Sequence, residues 1–132
     1  VLRQYQATHE GVEVLSVDDS PEWLDKTADW LKANDLPTDG LCGPDEWRAG
    51  GEPFDVILHD YAGGTAREEF MPAAAARLAP DGFLIFDDAH HLPHRIFMAA
   101  TARDHGLALF DLFEQTLDLG MRHAMLAHRI PA

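Results

Sequence analysis

Three runs of apolar and β-branched residues end in acids. Val12-Glu13-Val14-Leu15-Ser16-Val17 leads into Asp18-Asp19, Phe54-Asp55-Val56-Ile57-Leu58-His59 into Asp60, and Phe83-Leu84-Ile85-Phe86 into Asp87-Asp88. As parallel strands of one layer, they bring these carboxylates to a single sheet edge, where ligands of such sheets bind. Clustered carboxylates repel one another unless a positive charge intervenes. A hard divalent cation such as Mg²⁺, which prefers a few carboxylates plus water, is the natural neutraliser. Asp60, Asp87 and Asp88 are therefore candidate metal ligands. The plainer alternative is that acids end strands because the chain turns into solvent there, Asp being a good loop residue.

Asp18 has two readings of its own. An acid that closes a strand and precedes a helix can accept both hydroxyls of a ribose, or it can support the cap that Ser20 provides. His90 and His91, directly after Asp87-Asp88, can serve as a general base, as ligands, or as solvated loop residues. His94 reads as the start of a helix, and strand alternation sends His59 to the face opposite Asp60. Trp23, Trp30 and Trp47 read as core or interface residues, with Trp47 also able to flank a flat ring. Cys42 has no base nearby in sequence and reads as structural.

Those side chains need elements to hold them. Ser20-Pro21-Glu22 has the cap, first-turn proline and acid of a helix start, and Trp23, Leu24, Thr27, Ala28, Trp30 and Leu31 follow at helical spacing. Residues 35–53 are rich in Gly and Pro, with Leu41-Cys42 a short strand and Asp45-Glu46-Trp47-Arg48 a single helical turn. Tyr61-Ala62-Gly63-Gly64 reads as a loop. Thr65-Ala66-Arg67-Glu68 has capping-box spacing and opens a helix toward Leu78, kinked at Pro72. Pro80-Asp81-Gly82 reads as a tight turn, and a further helix spans roughly Leu92 to His105. Leu107–Thr116 and Met121–Arg129 read as a closing antiparallel hairpin about Asp118-Leu119-Gly120. The order is that of an α/β domain: a Rossmann-like, mostly parallel sheet with helices on both faces.

Composition bounds the function. The 132 residues are 46% hydrophobic and 25% charged, which suits one globular domain. A net charge of −13 disfavours nucleic acid and anionic membrane as partners, since both would repel the chain. The single cysteine excludes an internal disulfide and a multi-cysteine zinc site, and it suits a reducing cytoplasm. No apolar run approaches the ~18 residues that span a bilayer, and the first residues lack a basic-then-apolar leader pattern. No nucleophile elbow, no phosphate loop with Gly-Lys-Ser/Thr and no basic-aromatic patch is present.

In their order these motifs resemble class I S-adenosylmethionine-dependent methyltransferases, in particular the metal-dependent O-methyltransferases of small molecules. Val14-Leu15-Ser16-Val17-Asp18-Asp19-Ser20-Pro21-Glu22-Trp23 is similar to the family's second strand, whose ribose-binding acid falls on Asp18. Phe54 to Asp60 is similar to the fourth strand, ending in a metal-binding Asp. Leu78-Ala79-Pro80-Asp81-Gly82 and the strand to Asp87-Asp88 are similar to the fifth, which in catechol-type members ends in a metal-binding Asp-Asn pair. The resemblance implies S-adenosylmethionine and Mg²⁺ or another divalent cation as cofactors. It implies Asp18, Asp19, Trp47 and Asp60 as cofactor-binding residues, with Asp60, Asp87 and Asp88 on the metal. His90 or His91 takes the proton from a small-molecule hydroxyl. Catechol-type members carry a Lys base after the fourth-strand Asp, and Tyr61-Ala62-Gly63-Gly64 has none. The family's glycine-rich loop after strand one also has no counterpart. Residues 1–9 look like the back half of the helix that follows that loop, so the expectation is a domain incomplete at its N-terminus, prone to homodimerisation or strand exchange at the edge left open.

Two rival readings follow. Leu15 to Pro21 with Asp55 to Tyr61 resembles a response-regulator receiver domain, with Asp60 as phosphoacceptor. Against it, Phe83–Phe86 ends in acids where that family has Thr or Ser, and no Lys follows residue 32. The other rival is a non-catalytic, methyltransferase-like partner module.

Overall fold

Ser20 starts the longest helix of the N-terminal part as its sequence dictates. Its Oγ accepts the Trp23 N–H at 3.3 Å, Pro21 occupies the first turn, and α2 runs Pro21–Ala33. The computed structural model describes residues 1–61 and 63–129, and the chain divides into two compact units, Val1–Gly50 and Gly51–Ala132.

The first unit contains α1 (Leu2–Thr8), β1 (Ser16–Val17), α2, β2 (Leu41–Cys42) and α3 (Pro44–Ala49). β1 and β2 pair in parallel, Ser16 opposite Leu41 and Val17 opposite Cys42. The strand expected over residues 12–17 is thus shorter, because its partner offers only two residues to pair with. Gly40, at φ +72°, brings β2 against the approach to β1, and a Cβ there would lie 2.6 Å from the Val14 carbonyl oxygen. The buried Arg3 donates to the Asp39 and Gly40 carbonyls and to Ser16 Oγ, which fastens α1 to this pair. Helix α2 buries Leu31, while Trp23 and Trp30 are each 58% exposed on another side, with the Lys26 ammonium 4.5 Å from the Trp23 ring. Those two tryptophans are not core residues. Trp47 is one, at 5% exposure, and Cys42 is buried in β2.

The second unit contains β3 (Phe54–His59), α4 (Thr65–Ala76), β4 (Leu78–Phe86), α5 (Leu92–Asp104), β5 (Leu107–Asp111), α6 (Phe113–Thr116) and β6 (Met125–Arg129). Its sheet has the order β3-β4-β6-β5; β3 and β4 are parallel, and β6 runs against both β4 and β5. Three of the four strands therefore point the same way, and the chain ends in the expected antiparallel pairing. The connection is longer than a tight hairpin: α6 intervenes, followed by a turn in which Asp118 Oδ1 accepts the Gly120 and Arg122 N–H groups.

Helices α4 and α5 pack against each other and on one face of this sheet. The core there is Phe70, Met71, Ala74, Ala75, Leu84, Phe86, Met98 and Ala127. The opposite face carries the exposed side chains of Val56, Leu58, Phe83 and Phe110. Two details depart from expectation. Pro80-Asp81-Gly82 lies inside β4 as an irregularity, not before a strand: Phe54 pairs with Leu78 but Val56 with Phe83. The capping box at Thr65 does not form, because Gly64 at φ +59° takes the cap position and Thr65 becomes the first helical residue. Helix α4 continues past Pro72 to Ala76, two residues short of Leu78. Of the loop expected at Tyr61-Ala62-Gly63-Gly64, Ala62 lies outside the described residues. Among the described residues no helix is long and apolar enough to cross a membrane.

Candidate functional site

The parallel pairing of β3 with β4 sets the site. Register runs from Val56–Phe83 to His59–Phe86, and the Asp87 N–H extends it by donating to the His59 carbonyl at 3.1 Å. Both strands end level, so Asp60 and Asp87-Asp88 emerge side by side. One carboxylate oxygen from each of Asp60, Asp87 and Asp88 lies within 4.8 Å of the others. Of the convergence expected from three strand ends, the part between Asp60 and Asp87-Asp88 is present; Asp18-Asp19 instead follow β1, which pairs only with β2 in a sheet of its own, because the two-residue β1 offers no edge to the larger sheet.

The backbone after β4 is held in place. Asp88 sits at φ +56°, a left-handed conformation rare for residues other than Gly, Asn and Asp. The Ala89 N–H donates to the His123 carbonyl at 2.8 Å, and the His91 N–H to the Asp88 carbonyl at 3.1 Å. These bonds turn the chain into α5, whose N-cap is His91.

Sequence reasoning missed the residue at the centre of the cluster. Arg67, in the first turn of α4, is buried. Its Nη2 lies 2.7 Å from Asp60 Oδ1 and its Nη1 2.7 Å from Asp88 Oδ2, while Nε donates to the Tyr61 carbonyl at 3.1 Å. One guanidinium thus bridges acids from two strand ends. The sequence offered only a faint signal: Arg67 is the one Lys or Arg between Arg48 and Arg77 and follows Asp60 by seven residues. On the outer side, Arg122 bonds Asp118 at 2.7 Å. That bond holds its guanidinium even more firmly protonated, with smaller contributions from the charges of Asp88 and Asp87.

His90 stands beside the cluster, its Nδ1 3.7 Å from Asp88 Oδ1, which is beyond hydrogen-bond length. Its ring lies 4.0 Å from that of His91, and His91 lies 5.3 Å from His94. His91 is exposed at the helix start. His94 is turned inward, its Nε2 3.8 Å from Glu68 Oε1. Glu68 therefore faces a histidine of α5 instead of closing a capping box. His59 occupies the other face, as alternation requires, buried between the rings of Phe70 and Phe86. Burial, and secondarily the charge of Arg67, pushes its pKa down to about 4.

The remaining candidates belong to the first unit. Asp18 Oδ1 accepts the Ser20 N–H at 2.8 Å, so this acid supports the start of α2. Asp19 is exposed. Trp47 is buried in α3 and has little ring surface to offer a flat ligand.

The cluster's donor set is all carboxylate oxygen, which suits a hard cation. Arg67 takes one oxygen of Asp60 and one of Asp88. Among the described residues, Asp60 Oδ2, Asp88 Oδ1 and the Asp87 carboxylate remain, and three acids less one guanidinium leave two formal negative charges. The residues present fit a divalent ion.

Comparison with solved structures places the fold. The O-methyltransferase TomG from Streptomyces achromogenes, solved in complex with SAM, superposes with a TM-score of 0.69 at 14% identity, over 96% of this chain and 66% of its own. A methyltransferase from Pyrococcus furiosus gives 0.67 at 18% identity, over 96% and 67%. A precorrin-6y C5,15-methyltransferase from Geobacter metallireducens gives 0.63 at 17%, over 89% and 68%. The fold is that of class I SAM-dependent methyltransferases. The chain spans about two thirds of the length of these structures. No protein-family model and no curated protein matches the sequence.

Proposed function

We propose that this chain is the catalytic part of an SAM-dependent methyltransferase that acts on a hydroxyl of a small molecule with the help of a divalent cation. The carrying observation is the meeting of Asp60, Asp87 and Asp88 at the carboxyl ends of two parallel strands in a methyltransferase fold. Such sheets bind their ligands at that edge.

Asp60, Asp87 and Asp88 would hold the cation, and Asp18 and Asp19 would hold the nucleoside of SAM. A divalent ion held by these residues would supply Lewis acidity and lower the pKa of a hydroxyl near it. His90, beside Asp88, takes the hydroxyl proton, since an imidazole can accept and release one at neutral pH. The level ends of β3 and β4 fix Asp60, Asp87 and Asp88 relative to one another, and such positioning supplies much of the acceleration in a transfer between two bound partners. TomG, an O-methyltransferase, and the C5,15-methyltransferase are both neighbours. The hydroxyl acceptor therefore rests on the metal cluster and His90, not on the fold.

The phosphoacceptor alternative for Asp60 is disfavoured by geometry. Arg67 already holds Asp60 Oδ1, and a phosphoryl group on its other oxygen would face Asp87 and Asp88 within the same cluster.

Titration calorimetry of SAM with and without Mg²⁺ tests the proposal, with Asp87→Asn as control. Saturable SAM binding, and Mg²⁺ binding that Asp87→Asn abolishes, are the expected results. No SAM binding in either condition would overturn the methyltransferase reading, and Mg²⁺ heats unchanged in the variant would overturn the metal ligands.

A further inference from the structure

Arg67 sits where an incoming cation would have to compete. It is buried, it contacts both Asp60 and Asp88 at 2.7 Å, and its third arm is fixed by the Tyr61 carbonyl. A surface arginine could swing aside, whereas this one is set by the first turn of α4 and by partners on two strand ends. Three carboxylates this close would repel one another in the protein without metal. A fork-shaped guanidinium, always charged and able to bond two carboxylates at once, removes that repulsion.

We infer that Arg67 is a positioning residue that acts as a resident counter-cation. It assembles the acidic site before any metal arrives and, by holding one oxygen each of Asp60 and Asp88, keeps the affinity for the divalent ion low. This rests on the metal reading of the three aspartates. It goes beyond that reading by giving a non-ligand side chain control over whether the ion is permanently held or exchanges.

Mn²⁺ is a suitable probe of the full chain, followed by paramagnetic resonance for binding and by thermal melting for assembly. Arg67→Gln removes the charge and the fork; Arg67→Lys keeps the charge and loses the fork. In Arg67→Gln the metal-free protein should melt lower than wild type. Mn²⁺ should bind at least about tenfold more tightly, as expected for removing a positive charge next to the ion. Mn²⁺ should also raise the melting temperature of the variant more than that of wild type. Arg67→Lys should bind Mn²⁺ within about threefold of wild type, because the charge stays.

The outcomes separate the two readings. Wild type that binds Mn²⁺ while Arg67→Gln, folded, binds no more tightly overturns the role of Arg67 and leaves the metal site standing. Binding by Arg67→Gln but not by wild type supports the role of Arg67 and overturns the native metal site. Binding by neither overturns both. Should Arg67→Gln be unfolded without metal, refolding by Mn²⁺ supports the inference. Failure to refold, with Arg67→Lys binding like wild type, overturns it.

Discussion

His59 shows how one side chain links the sheet to the site. It is the last residue of β3, packed between Phe70 and Phe86, and its neighbour Asp60 faces the acidic cluster. Burial and then the Arg67 charge, with a lesser contribution from His94, hold its pKa near 4, against about 6.5 for an unfolded histidine. The unfolded chain therefore binds the extra proton first. The stability contributed by neutral His59 is fully present above pH ~6.5 and is lost as pH falls toward about 4. A shift of that size corresponds to about 3 kcal/mol at the low end of the window. Wild type should lose melting temperature between pH 7 and about pH 4.5 more steeply than His59→Leu. Parallel pH profiles of the two proteins would defeat this assignment. At this scale the aspartates were legible, because each directly ends an apolar run. Arg67 was not singled out, since a lone arginine in a helix reads as solvated until the geometry shows two carboxylates on its arms.

Elements set how accurately those residues meet, and Gly82 is the clearest case. It lies in the irregular stretch of β4 where three more residues are used than on β3. A Cβ there would come within 2.9 Å of the Phe54 and Asp55 carbonyl oxygens. Gly82→Ala must push β4 from β3 upstream of the register that levels Asp60 with Asp87. We expect a loss of about 1–3 kcal/mol, typical of overpacking, read as a lower denaturation midpoint at unchanged slope. An unaltered midpoint would show that the strands separate there without cost. The same stretch explains a misread element: Pro80-Asp81-Gly82 has turn chemistry, yet the bulged strand absorbs it, because pairing resumes at Phe83. The capping box failed for a comparable reason. Gly64 adopts a positive φ and begins the helix one residue earlier, which leaves Glu68 to face His94. Strand and helix identities over Phe54–His59, Pro21–Ala33 and Leu92–Asp104 followed from periodicity. Boundaries that depend on a partner, such as the shortened β1, did not.

At the scale of the whole chain, charge matters most. A net −13 over 132 residues means that every acid lies in the repulsive field of others, and much of the positive charge is already engaged. Lys26, Arg48, Arg67, Arg95 and Arg122 each pair with an acid. Most of these pairs are exposed and contribute little. Self-repulsion of this kind destabilises a compact state and is screened within about 10 Å at ~0.1 M salt. The buried Arg67 bridge is screened much less, so salt should remove the penalty while sparing the contact that assembles the site. Raising NaCl from about 50 to about 500 mM should therefore increase the melting temperature by a few degrees. Chloride is the right anion for this test, because sulfate would also strengthen apolar burial. MgCl₂ at matched ionic strength then distinguishes screening from binding: an increase beyond that in NaCl, lost in Asp87→Asn, assigns the excess to the three aspartates. A melting temperature that is flat or falls with NaCl would mean that the exposed pairs outweigh the net repulsion, and the acidic surface would then owe its stability to local partners.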